Sequence, residues 1–401
     1  MKNKLEVTII GAGMIVHDQI LPSLLHLQRI GLIGTIKICA KSSIRIKRLV
    51  EDPLFKKAFP NAAYEIYPNI NDPIENEYND LYKEIIEKMD PYNCVIIALP
   101  DQLHYSAIKF SLKCNQHIIT VKPFVLKYSE AEELEKLAYE KGLFIGIDYH
   151  KRFDRRSLIA RRLYREGYFG EFIIGEAKLI EPYYYRNSNF QNWFLPEFTD
   201  PFVYVGCHYF DLVYFITELK PTRVSVNGIK RKFPNGNEGF LWTNGRIIYE
   251  NGGILSITNG LGYPDKAAGS NMQGLEMYFE GKNATAHLKH NDQMRGVEYS
   301  FLEPIESEKS YFNYINPDYF KLVPWENGGL KPVGYGYDSI ESMIKMVNLI
   351  NNENNILERQ NLLREIDKKG IIAVPSNSKI NELIIEASRK SIQNNGNFID
   401  I

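Results

Sequence analysis

The sequence predicts an α/β chain in two parts. A parallel sheet covered on both faces comes first, and an α+β domain with a mostly antiparallel sheet follows. Three observations carry this reading. Residues 1–150 alternate strand-like with helix-like segments, the pattern of βαβ units. Beyond residue 170, strand-like segments follow one another across turns, with few helices between them. A length of 401 residues is long for one domain and favours two.

The elements follow in order. Val7–Ile10 is a β-branched run and reads as the first strand, with helical apolar spacing from Ile15 to Leu27 after it. Thr35–Ala40 reads as the second strand. Cys94–Leu99 reads as a buried strand, with a helix over 105–114. His117–Val121 and Phe144–Asp148 are two further strands, separated by a helix over 130–141. Strands apolar on both faces suit a sheet covered on both sides. In the second half, Phe172–Leu179, Thr222–Ile229, Arg246–Tyr249, Gly253–Thr258, Gly274–Glu280 and Thr285–Lys289 read as strands. Helical stretches are expected over 339–351, 357–369 and 379–391. The expected division is 1–150 and 151–401.

Composition narrows the function classes. The chain is 44% hydrophobic and 24% charged, with a net charge of −1. Near-neutral charge argues against a nucleic-acid or anionic-membrane partner held by bulk charge. No apolar run is long enough for a membrane span, and no signal-peptide pattern precedes the first strand, so a cytoplasmic setting is expected. The cysteines Cys39, Cys94, Cys114 and Cys207 form no Cys-x-x-Cys pair and are expected reduced and buried. The eight histidines are scattered and show no metal-ligand spacing.

Val7–Gly13, VTIIGAG, joins a strand to a helix through Gly-x-Gly. That junction holds a dinucleotide pyrophosphate: Gly11 permits the turn, Gly13 admits the phosphates, and the helix N-terminus beyond, with Met14 and Ile15, faces the anion. The first part thus reads as a Rossmann dinucleotide-binding domain. A glycine turn in another kind of α/β unit is the alternative. The third glycine of the fingerprint is replaced by Val16, so helix–strand packing there must be relaxed or displaced.

At the end of the second strand, Ile38–Arg45 offers no carboxylate for the adenosine ribose. Lys41, Ser42 and Arg45 would instead suit a 2′-phosphate, which favours NADP(H), with NAD(H) possible. A solvated basic helix start is the alternative. Leu99, Pro100 and His104 lie in a loop at the carboxyl end of a parallel strand, where ligand crevices form, although Asp101 there equally suits a helix cap. Lys122 and Pro123 end the next strand. Pro123 stops the ladder, and a desolvated Lys122 would stabilise an alkoxide or donate a proton. A surface lysine is the plainer outcome. Tyr204, His208 and Asp211 fall at i, i+4 and i+7, on one helical stripe, or else on a half-buried helix whose polar groups serve its neighbours. The aromatic run Tyr183–Tyr185 with Arg186 and Trp193 reads either as a substrate-facing loop, its rings suited to stacking and Arg186 to a phosphate, or as an aromatic-rich domain interface. His150, Lys151 and Arg152 either line a cleft or cap a strand end.

These features, in this order, resemble the Gfo/Idh/MocA oxidoreductases. The likeness rests on the Gly-x-Gly turn, Leu99–His104, Val121-Lys122-Pro123, Arg152-Phe153 and Gly206–Asp211, with Gly274–Glu276 and the stretch 334–341 also fitting. It implies hydride transfer between a nicotinamide and a hydroxyl-bearing carbon of a sugar, nucleotide sugar or polyol. It implies Lys122 near the reacting oxygen, and Arg152, Tyr184, Trp193, Tyr204, His208 and Asp211 on the substrate side. It also implies a Rossmann domain followed by an α+β domain built on a large, mostly antiparallel open sheet, and a homodimer or homotetramer through that sheet.

Two departures stand out. Val121 replaces the glutamate of the lysine motif, and Tyr204 replaces the aspartate four residues before the histidine. Some relatives use a tyrosine as acid/base, and Tyr204 suits that role. An NAD-dependent inositol or polyol dehydrogenase, or a non-catalytic dinucleotide sensor, are the competing readings.

Overall fold

A computed structural model describes residues 4–267, 271–282, 285–290 and 319–401. The described chain divides into two compact units. The first comprises residues up to Val125, Ser129–Phe153 and Tyr319–Lys379; the second takes Leu126–Tyr128, the described residues from Asp154 to 290, and Ile380–Ile401. The later segment Tyr319–Lys379 thus packs with the N-terminal part, whereas the sequence division kept it with the second domain.

The first unit holds six strands: β1 (Val7–Ile10), β2 (Ile36–Cys39), β3 (Glu65–Tyr67), β4 (Cys94–Ile97), β5 (His117–Thr120) and β6 (Ile145–Ile147). They form one parallel sheet in the order β3-β2-β1-β4-β5-β6, the doubly wound arrangement. Helices α1 (Leu21–Arg29), α2 (Ser43–Val50), α3 (Pro53–Ala58), α4 (Leu81–Glu87), α5 (His104–Lys113) and α6 (Tyr128–Glu140) connect them. Strands β1, β4 and β5 are buried at every position, as the unbroken apolar runs required. The missing third glycine has a visible answer. Val16 is fully buried, and residues Val16–Ile20 wind as a wider π turn ahead of α1.

In the second unit, α7 (Arg155–Arg165) precedes β7 (Glu171–Pro182), and α8 (Cys207–Thr217) follows it. Then come β8 (Pro221–Lys232), β9 (Glu238–Tyr249), β10 (Ile254–Tyr263), β11 (Met272–Glu280) and β12 (Thr285–His290). The antiparallel hairpin β13 (Lys321–Pro324) and β14 (Leu330–Val333) returns to the first unit with α9 (Tyr335–Asn352), α10 (Ile356–Lys369) and α11 (Pro375–Ser378). Finally α12 (Ile380–Gln393) and β15 (Ile399–Asp400) rejoin the second unit. Its sheet runs β12-β11-β7-β10-β9-β8-β15, antiparallel except for the pair β7 and β10. None of the four cysteines, all among the described residues, forms a disulfide; three are buried and Cys114 is half-buried. Among the described residues no helix is long and apolar enough to cross a membrane.

Candidate functional site

The carboxyl ends of β1, β4 and β5 carry the first group of residues. Gly11 has φ +116° and donates to the Cys39 carbonyl at 2.7 Å. A Cβ there would lie 2.1 Å from the Ala98 carbonyl oxygen, so only glycine lets the turn lie against β4. Gly13 is the reverse case. It is exposed, and a Cβ on it would meet no atom within 4 Å. Met14 beside it is also exposed, and Ile15 is half-buried. An open glycine at the mouth of a helix is the shape a pyrophosphate needs.

Beyond β2, Ser42 stands at the N-cap of α2 without a capping hydrogen bond from its side chain. The sequence shows no acid in this stretch, but the β3–α4 connection delivers one: Glu77 pairs with the Lys41 ammonium at 2.8 Å, both more than half exposed. The Tyr78 N–H donates to the Lys41 carbonyl, which fixes that connection in place. Arg45 is half-buried, and burial holds its pKa below the usual arginine value. Arg48 is the neighbouring charge, and no acid faces Arg45 among the described residues.

His104 is fully buried and spans two loops. Its Nδ1 meets the carbonyls of Pro123 and Phe124 at 2.8 and 3.2 Å, and its Nε2 meets that of Leu99 at 2.9 Å. It therefore pins the loops after β4 and β5 to one another. Leu99 and Pro100 are half-buried in the first of these loops. Lys122 is half-buried in the second, and its bond to Pro123 is cis. Arg152 is buried; it donates from Nη1 to the Asn377 side chain at 3.0 Å and lies over Tyr149.

The second unit holds the others. Asp200 accepts from the backbone N–H groups of Phe202 and Val203 and so caps the helix that carries the motif. That helix also begins as a π turn, Phe202–Gly206, ahead of α8. Tyr204 goes to an aromatic cluster, meeting Phe190, Trp193 and Phe194 edge-on at 5.3–5.7 Å. Asp211 goes to the interior, where the Asn381 amide of α12 donates to it at 2.8 Å. His208 lies between them in sequence, 6% exposed. Gly206 lies against Asn259 of β10, where a Cβ would be 2.7 Å from the amide oxygen. Tyr184 is exposed, its N–H bonded to Asp265, and Trp193 is partly buried in the cluster.

Local sequence patterns did not reveal two further groups. His17 lies between Asp18 at 2.6 Å and Asp52 at 2.7 Å. The Asp18 bond first, then that to Asp52, outweigh burial and raise its pKa to about 9. Gln19 is buried, donates to Asp148 at 2.8 Å and accepts from Tyr319 at 2.5 Å. Among the described residues no group of three His, Cys, Asp or Glu is placed to hold a metal.

Comparisons with known proteins agree with the fold of the N-terminal part. The Gfo/Idh/MocA family, described as an oxidoreductase family with an NAD-binding Rossmann fold, matches residues 5–149. An uncharacterised oxidoreductase of Schizosaccharomyces pombe is 27% identical over 137 residues, 34% of this chain and 33% of that protein. The matched stretch thus spans about a third of the length of such curated relatives. The NADP(+) scyllo-inositol 2-dehydrogenase of Bacillus subtilis is 30% identical over 73 residues, 18% of this chain and 20% of that one. The crystal structure of myo-inositol 2-dehydrogenase from Lactobacillus plantarum covers 100% of both chains with a TM-score of 0.62 at 16% identity, a likeness of fold.

Proposed function

On the premise that residues 5–149 are the NAD-binding Rossmann domain of a Gfo/Idh/MocA oxidoreductase, we propose that the chain is an NADP(H)-dependent dehydrogenase. It acts on a hydroxyl or keto carbon of a sugar, nucleotide sugar or polyol. One observation carries the reading: the open Gly13 beside the tightly closed Gly11, at the carboxyl end of β1. When bound, the nicotinamide supplies or accepts the hydride.

The chain's own residues do the rest. Gly11 lets the turn close against Ala98, Gly13 admits the pyrophosphate, and the helix beyond them presents its N–H groups. Arg45, half-buried with no acid facing it among the described residues, supports recognition of a 2′-phosphate. A relative named for NADP(+) supports the same choice. The Glu77 carboxylate on Lys41 favours the other cofactor, since a carboxylate at that strand end suits a ribose diol. Lys122 stabilises charge developing on the substrate oxygen, and Tyr204 or His208 exchanges its proton. The aromatic neighbours of Tyr204 support a sugar-facing wall.

Two exposed apolar residues facing each other in register across β7 and β11, Ile174 and Tyr278, support association of copies through the open sheet. The test is turnover of NADPH or NADP+ with a panel of sugars, keto-sugars and inositols. Lys122→Ala and Tyr204→Phe are each expected to lower the rate by ~10²–10⁴. Unchanged turnover in both would remove the assignment.

A further inference from the structure

We propose that Arg186 reads a negatively charged group, a phosphate or a carboxylate, on the ring substrate. The inference rests on the proposed sugar or polyol chemistry and narrows its substrate class. Arg186 follows β7 in a short turn, Tyr183–Asn187. Its Nε donates to the Leu261 carbonyl, which fixes the guanidinium and leaves its two Nη groups for a ligand. Its guanidinium carbon lies 4.7 Å from the Tyr183 ring centre.

The setting is built around two bare positions. At Gly260 and Gly262 a Cβ would lie 2.3 Å from Trp242, and at Gly262 also 3.0 Å from an Arg186 Nη. Glycine at 262 therefore lets the indole and the guanidinium lie against the same stretch of β10. Trp242, Tyr185, Trp193 and Tyr204 pack on one apolar cluster, so this platform is continuous with the proposed proton donor.

Arg186 is half-buried, and among the described residues no acid pairs with it; its charged neighbour is Arg231, a like charge. Lys230 and Lys232 flank Arg231 in β8, with Lys230 over Phe240 at 5.1 Å. Holding a guanidinium partly desolvated without a counter-charge costs free energy that an arriving anion returns through paired, charge-assisted bonds. A neutral polyol needs no such group.

The test is calorimetric binding to the full-length protein, with and without saturating NADP+. The probes are glucose 6-phosphate, glucuronate and UDP-glucose, each against glucose. At least one charged probe is expected to bind tenfold or more tightly than glucose. In Arg186→Gln that gap should shrink at least tenfold, in Arg231→Gln partly, with NADP+ affinity unchanged in both. No charged-over-neutral gap in the wild type, or a gap that persists in Arg186→Gln, overturns the inference. Arg231→Gln keeps the test open if Arg186→Gln does not fold. Loss of NADP+ binding by the wild type would instead strike the dinucleotide reading, which the sugar titrations do not address.

Discussion

Gly13→Ala and Gly11→Ala separate a residue left bare for a ligand from one left bare for the fold. A methyl at position 13 meets nothing within 4 Å, and the backbone there is outside the left-handed region. Such a Gly→Ala change stabilises by about 0.4–1 kcal/mol through the unfolded chain. The melting temperature should therefore hold or rise slightly. If the pyrophosphate lies against this backbone, the same methyl takes the place of its oxygens. The dissociation constant for NADPH should rise at least ~10-fold, about 1.4 kcal/mol. At position 11 the methyl would stand 2.1 Å from the Ala98 oxygen, with φ at +116°. Backbone strain of about 1–3 kcal/mol and overpacking of about 1–3 kcal/mol together predict a loss of about 2–6 kcal/mol. Thermal melts and NADPH fluorescence titrations of both variants make the assay. If Gly13→Ala binds NADPH as the wild type does, the open space is not where the dinucleotide lies.

Further outcomes are expected elsewhere. Arg45→Gln should weaken NADPH binding by about 10- to 150-fold and leave NADH binding alone, since a charge-assisted bond is worth about 1.5–3 kcal/mol; equal losses for both cofactors would remove Arg45 from the phosphate site. His17 has a folded pKa near 9 against 6.5 unfolded, so its stabilisation is complete below pH 6.5 and is lost as pH rises through about 9. Because the ring is partly exposed, this is on the order of 1 kcal/mol, and the wild-type decline in melting temperature over that range should flatten in His17→Gln. His104→Leu strands carbonyls in both loops and should cost about 2–4 kcal/mol in urea unfolding; an unchanged midpoint would show that the loops are held by other contacts.

The legible parts of the chain were those with one local period. Short runs rich in β-branched residues marked β1, β4 and β5, and Gly-x-Gly marked the turn that ends β1. Strand β3 and α4 were missed because Asn, Asp and Pro crowd residues 68–80 and hide short elements. Strand β9 runs from Glu238, but only Arg246–Tyr249 was legible, since Asn244 and Gly245 interrupt its apolar pattern. The pairs Lys41–Glu77, Arg152–Asn377 and Asp211–Asn381 join residues far apart in sequence, so no spacing rule exposes them.

The π turns at Val16–Ile20 and Phe202–Gly206 bear on how these helices tolerate change. Each holds one more residue per loop of backbone than its continuation does. Deleting a residue there lets the segment relax into regular winding without breaking the helix. A π turn spreads its extra residue over about the rotation that regular winding makes with one residue fewer, so the flanking segments would keep nearly their present aim. One-residue length changes at these two places are therefore absorbed where they occur, which leaves the helices beyond them facing as they do now.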